Sequence, residues 1–421
     1  MRSSIRQHQW TGRAAVLAAA VCLMAAACSS RTASRSADEQ QPPTSTTSQA
    51  AGPVIATPTT AARAPKAAGT TTTTETPRPP QPRTTTTSTV PAVASQGLEF
   101  DAPSGLAFGG RYLWVTNYNG NSVAAVDPSN GAWVATYRGA GYGFDRPSAI
   151  TDVGSDLFVA DAAGFVTELD ATNGAAVRTI RGAGYHFADP VAIASSHDTL
   201  LVLNAGQPPS VTEIDIATGK LIRVASSPGF DDPVAMAVWG DDAFVANQAS
   251  NAVTEVDVLN GVQVGAPITS PGHISSPDGI AAEDGYVWVS DSATNAATQI
   301  DAATRQVMRT VNDGSYGFNT PSVALAWPGY VFIATPNGTS PMVTMVNAAT
   351  GAGGWNGSSP SYVCNTNGPY YFSNISAMAV SGDDLWVASR TGDNYPAHSA
   401  EYGSLTELST TRFNGLLRTV S

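Results

Sequence analysis

From residue 100 onward the chain repeats one pattern seven times, and a repeat of this length leaves few architectures open. An aromatic or apolar residue stands three places before a proline at Phe100, Phe144, Phe187, Phe230, Ile274, Phe318 and Phe372, with Ile375 replacing the proline in the last copy. Successive markers are 44, 43, 43, 44, 44 and 54 residues apart. Each copy holds four short runs of β-branched, aromatic and apolar residues separated by Gly, Asn, Asp and Pro, which predicts four strands. In the second copy these are residues 148–152, 156–160, 165–169 and 176–181. Helical repeats would show a 3.6-residue apolar period, and none is present. The expected fold is therefore all-β: a seven-bladed β-propeller over residues 96–421, with four antiparallel strands per blade, labelled a to d from the axis outward. Such a domain exceeds the usual size of one core, but each blade packs only against its neighbours.

Within a copy the strands have different duties. Strand a is rich in small residues, as in SGLAF at 104–108 and VAMAV at 234–238, which suits the crowded axis. Strand b is bulkier, with LWV at 113–115, VWV at 287–289 and LWV at 385–387, which suits the wider space between blades. The last copy carries its own candidate outer strand at 415–420 after SLTEL at 404–408, so closure by side-chain packing is expected unless the Thr-rich stretch before Val90 adds an edge.

Two segments precede the repeats. Arg2, Arg6 and Arg13 stand before an uncharged run at 14–27, the pattern of an export signal. That run is shorter than the roughly 20 residues a membrane span requires. It ends MAAAC and resembles the lipobox of bacterial lipoproteins, with Cys28 as the lipid attachment point, although Ala25 stands where that pattern prefers Leu. The other reading is cleavage after Ala27 with release of a secreted protein. Residues 28–95 are dominated by Ser, Thr, Pro and Ala and lack the large apolar side chains needed for a core, so a disordered tether is expected. A flexible chain of that length spans on the order of 50 Å. Cys364 is the only cysteine after residue 95, which excludes an intradomain disulfide.

Residues 1–95 hold nine of the chain's 21 Lys plus Arg and three of its 33 Asp plus Glu. The domain is left with 12 basic and 30 acidic residues, and Lys220 is its single lysine. Nucleic acid is excluded as a partner because counterion release needs clustered positive charge.

LWVTNYNGNSVAAVDPSNGAWVATYRG at 113–139 resembles the YVTN type of β-propeller repeat, with Val115, Thr116 and Asn117 matching the motif, and VANQASNAVTEVDVLNG is similar. The resemblance covers residues 100–421. It implies a propeller akin to the NHL type, and a family of binding proteins, scaffolds and a few enzymes. No catalytic residue follows from it. Lyases of the NHL type use scattered His and Glu, and by that analogy His273 or His398 would serve as a base.

Strand b usually ends in Asn or Asp, at Asn117, Asp161, Asn204, Asn247 and Asp291, with Thr335 and Ser389 in the last two copies. These groups would encircle one face and hold a polar ligand or a divalent cation, or they would cap turns by bonding backbone. The seventh copy expands between strands b and c to SRTGDNYPAHSAEYGS, bringing Arg390, Asp393, Tyr395, His398, Glu401 and Tyr402 onto one loop suited to a ligand. The sixth copy is also longer by about ten residues, which fall in the c-to-d connection or beside the seventh-blade loop depending on the direction of alignment. No HExxH, paired-Cys spacing, GxSxG elbow or P-loop occurs. The expected activity is binding or scaffolding by a monomeric, lipid-anchored propeller in a bacterial envelope, with a protein, peptide or glycan as partner and no required cofactor. The alternative is a lyase or hydrolase on the same fold.

Overall fold

The computed structural model describes residues 100–312, 314, 316–336, 341–353, 361–364, 374–390, 404–409 and 417–420; for 361–364, 409 and 417–420 it describes the backbone alone. Seven antiparallel sheets follow one another along the chain, each made from consecutive strands. The second blade comprises Pro147–Val153, Asp156–Asp161, Phe165–Asp170 and Ala176–Ile180, within a residue or two of the sequence expectation. Blade 4 departs slightly, because its outer strand is split into Val262–Gln263 and Ile268–Thr269, both paired with strand c at Ala252–Asp257. Pro267, which has no N–H to donate, and Gly265 at φ 59° lie in the gap.

The core is divided among the seven blade interfaces. Phe244, Val253, Ile280 and Val289 fill the space between blades 4 and 5. Between blades 5 and 6, Trp288 packs with Val331, Ile333 and Val346. The pleat explains this arrangement, because alternate strand residues point to opposite sheet faces and each face meets a different neighbour. Leu106 faces blade 7 while the adjacent Ala107 faces blade 2.

Ring closure uses the same means. Leu106, Leu113 and Val115 of blade 1 pack on Ala377, Trp386 and Leu405 of blade 7. Blade 7 is completed by Leu417–Val420 from its own repeat. Near the axis the Ser376 hydroxyl donates to the Pro103 carbonyl at 2.6 Å, as Ser104 does to Pro147 and Ser148 to Pro190. The closing seam is therefore stitched like its neighbours.

The added residues of the sixth copy also find their place. The outer strand of blade 6 is Ser361–Cys364, paired with Met342–Asn347, so residues 348–360 form the c-to-d connection. In an antiparallel blade the c-to-d and a-to-b turns share one face, and the b-to-c and d-to-a loops share the other. The added length thus falls between strands c and d in the chain.

Candidate functional site

The b-to-c face is built on a corner repeated around the ring. The residue ahead of strand a has a left-handed backbone at Ala102, Arg146, Asp189, Asp232, Ser276, Thr320 and Asn374, with φ between 51° and 59°. Such geometry costs a non-glycine residue about 1 kcal/mol or more and persists only where surrounding bonds enforce it. Here the enforcing bonds come from the end of strand b. The N–H of the next residue donates to the corner carbonyl: Tyr118 to Ala102 at 2.9 Å, Ala162 to Arg146 at 3.0 Å and Arg390 to Asn374 at 3.1 Å, with Ala205, Gln248 and Ser292 alike. Blade 6 has Pro336 there, which lacks the N–H.

The strand-b Asn and Asp residues belong to this corner. All five are fully buried. Each side-chain oxygen accepts from the backbone N–H sixteen residues earlier: Asp101 to Asn117 at 3.3 Å, Asp145 to Asp161 at 3.0 Å, Ala188 to Asn204 at 3.3 Å, Asp231 to Asn247 at 3.1 Å and Ser275 to Asp291 at 3.3 Å. The amide nitrogens of Asn204 and Asn247 donate to the Thr212 and Thr254 hydroxyls, both at 3.0 Å. Those hydroxyls pass their own protons to the carbonyls of Tyr185 and Gly229. The side chains therefore pin the d-to-a loop to strand b, and their polar atoms face that loop.

Burial favours the protonated form of the two aspartates, and in that form they can do the work of asparagine. The Thr298 hydroxyl lies 2.8 Å from both the His273 carbonyl and the second Asp291 oxygen, yet it has one proton to give. A protonated Asp291 donates to Thr298, which then donates to His273, reproducing the relay of Asn247. Burial raises the Asp291 carboxyl to about 7. At Asp161 the second oxygen is buried without a partner, and burial raises that carboxyl to about 8.

Symmetry breaks at the seam between blades 7 and 1. The position after the end of strand b holds Ala162, Ala205, Gln248, Ser292 and Pro336 in blades 2 to 6, but Tyr118 in blade 1 and Arg390 in blade 7. A cavity of about 320 Å³ opens between them, lined by Ala102, Tyr118, Asn119, Asn374 and Arg390. The corner bonds fix the backbone of both large residues, and Arg390, Asn119 and Asn374 are exposed while Tyr118 is half-buried. Beyond Tyr118, the next corner presents Arg146, whose guanidinium is held above its ordinary value by the Tyr118 hydroxyl and by Asp145, 3.4 Å from its Nε.

Of the sequence candidates, Arg390 lines this cavity. Asp393, Tyr395, His398, Glu401 and Tyr402 lie outside the described residues, as does Cys28. Tyr118, Asn119 and Asn374 are lining residues that sequence reasoning passed over. For Tyr118 a faint signal lay one place after the strand-b end, where Ala, Gln, Ser or Pro in blades 2 to 6 gives way to Tyr in blade 1 and Arg in blade 7; Asn119 and Asn374 carried none. Glu168, Glu213 and Glu255 are buried between blades rather than gathered at a site, and they pair with Arg178, Arg223 and Arg305. Among the described residues, no three His, Cys, Asp or Glu side chains are placed to hold a metal ion.

No protein-family model matches the chain, and no curated protein sequence does so. Among solved structures, the computationally designed Ika8 protein is similar with a TM-score of 0.52 at 16% identity, covering 77% of this chain and 90% of its own. Hydrazine synthase of Kuenenia stuttgartiensis aligns with a TM-score of 0.47 at 18% identity, over 59% of this chain and 84% of its own. At these identities the likeness to Ika8 concerns the fold alone, and the second likeness carries no argument.

Proposed function

We propose that this propeller is a ligand-binding module displayed on the bacterial cell envelope, and that the cavity between blades 7 and 1 is its binding site. The observation that carries this reading is the break in symmetry. Five corners, in blades 2 to 6, carry residues that build the ring, while the two corners at the seam add a phenol, two amides and a guanidinium. A cavity of this size lies at the small end of ligand pockets. The resemblance to YVTN-type repeats is consistent with binding. The described lining includes no carboxylate or imidazole, so nothing there favours a lyase or hydrolase.

Display at the surface rests on the first 95 residues. The export signal delivers the chain, Cys28 takes the lipid, and residues 28–95 hold the propeller away from the membrane. Metabolic labelling with a palmitate analogue tests the anchor: Cys28→Ala is expected to abolish labelling, and unchanged labelling refutes it. The site is tested by co-sedimentation with purified cell-wall polysaccharide. The paired change Tyr118→Ala and Asn374→Ala is expected to release a propeller that otherwise sediments, and equal sedimentation would remove the seam as the site.

A further inference from the structure

We infer that the seam cavity recognises an anionic sugar, with Arg390 taking the ligand's carboxylate; this rests on the seam being the binding site. The argument begins with how the domain uses its cations. The domain holds 12 basic residues against 30 acidic ones, and most of the described arginines have a structural partner. Arg178, Arg223 and Arg305 pair with buried glutamates. Arg309 donates to the Thr350 carbonyl, while Arg111 and Arg181 lie over the Tyr112 and Phe165 rings. Arg390 is different. Its backbone N–H serves the corner, and among the described residues its guanidinium meets no carboxylate, carbonyl or ring.

A guanidinium that meets no acceptor among the described residues, at a cavity mouth, suits a carboxylate, because its planar fork matches both oxygens. The surrounding acidity of the domain makes the choice selective, since an anion gains little anywhere else on the surface. Arg146, one corner further on beside Tyr118, adds positive potential on the same side.

The rest of the lining favours a sugar over a peptide. Asn119 and Asn374 offer donors and acceptors for hydroxyl groups, and Tyr118 offers one aromatic surface. A peptide hot spot requires a deep apolar socket for an anchoring side chain, whereas among the described lining residues Ala102 is the one aliphatic side chain. A cavity near 320 Å³ suits a terminal mono- or disaccharide.

The test is calorimetric titration of the purified protein with a disaccharide ending in glucuronic acid, beside the same disaccharide ending in glucose. The uronate should bind, and the neutral sugar should bind about ten- to a hundredfold more weakly. Arg390→Ala should remove that difference, Arg390→Lys should restore part of it, and Lys220→Ala, a cation on the opposite face, should change nothing. Equal binding of both sugars, lost in Tyr118→Ala but kept in Arg390→Ala, would overturn the anionic ligand and leave the site standing. Binding of an acidic peptide in place of either sugar, lost in Arg390→Ala, would overturn the sugar. Uronate binding unchanged in both Tyr118→Ala and Arg390→Ala would overturn the seam itself.

Discussion

The seam between blades 7 and 1 and the interface between blades 5 and 6 have like interiors and unlike rims. Inside, Trp386 and Trp288 occupy the same strand-b position, both fully buried against apolar residues of the adjoining blade. At the rim, blades 5 and 6 end strand b with Ser292 and Pro336, whereas the seam has Arg390 and Tyr118 over a cavity. The comparison teaches that closure and recognition are separable. Closing the ring requires matched faces below the corner, and the proposed ligand site adds only two neighbouring corners whose residues break the symmetry.

The strongest way to break this equivalence is in the interior. Trp386→Ala and Trp288→Ala should each destabilise the domain by about 3–5 kcal/mol in chemical denaturation. A much smaller loss for Trp386 would mean that the closing seam is a weaker interface than the others.

The corners give the next largest effect and carry a pH signature. Asp161 titrates near 8 in the folded protein and near 3.8 when unfolded, so the native state holds a proton that the unfolded state has released. Stability should therefore fall as pH rises from about 4 to about 8 and level off above. Asp161→Asn keeps the shape and supplies the amide found in blades 1, 3 and 4. It should be neutral near pH 4 and stabilising by about 1–3 kcal/mol at pH 9, the cost of a buried, ill-satisfied polar group. Asp291→Asn should follow the same trend with a smaller gain, because the ionised carboxylate keeps a donor in Thr298 and titrates lower, at about 7. A pH-independent difference between wild type and Asp161→Asn would refute the buried proton.

The rim should give the smallest change. The exposed Arg390→Ala should alter stability by less than about 0.5 kcal/mol, and the half-buried Tyr118→Ala by no more than about 1 kcal/mol. A larger loss would assign these residues to closure, and the contrast between interior and rim would disappear.

Much of this was legible in the chain. Small residues in strand a, bulky apolar residues in strand b and the Asn or Asp at 117, 161, 204, 247 and 291 recur at a fixed spacing, and a periodic signal reports the shared blade. The meaning of the Asn and Asp residues was not legible, since a polar group at a strand end serves a ligand or a loop equally well by pattern. The sixteen-residue reach shows each of these side chains serving the loop N–H. The seam cavity was harder still, because Tyr118 and Asn374 are far apart in the chain and neither departs from what a turn tolerates.

The sequence by itself determined the blade and the number of blades, because those follow from four strand-like runs repeated at a fixed spacing. Tertiary structure alone decided which residues meet at closure. The first and last copies become neighbours only when the ring shuts, and it is that meeting, Ala102 and Tyr118 with Asn374 and Arg390, that makes a cavity from two corners that are unremarkable apart.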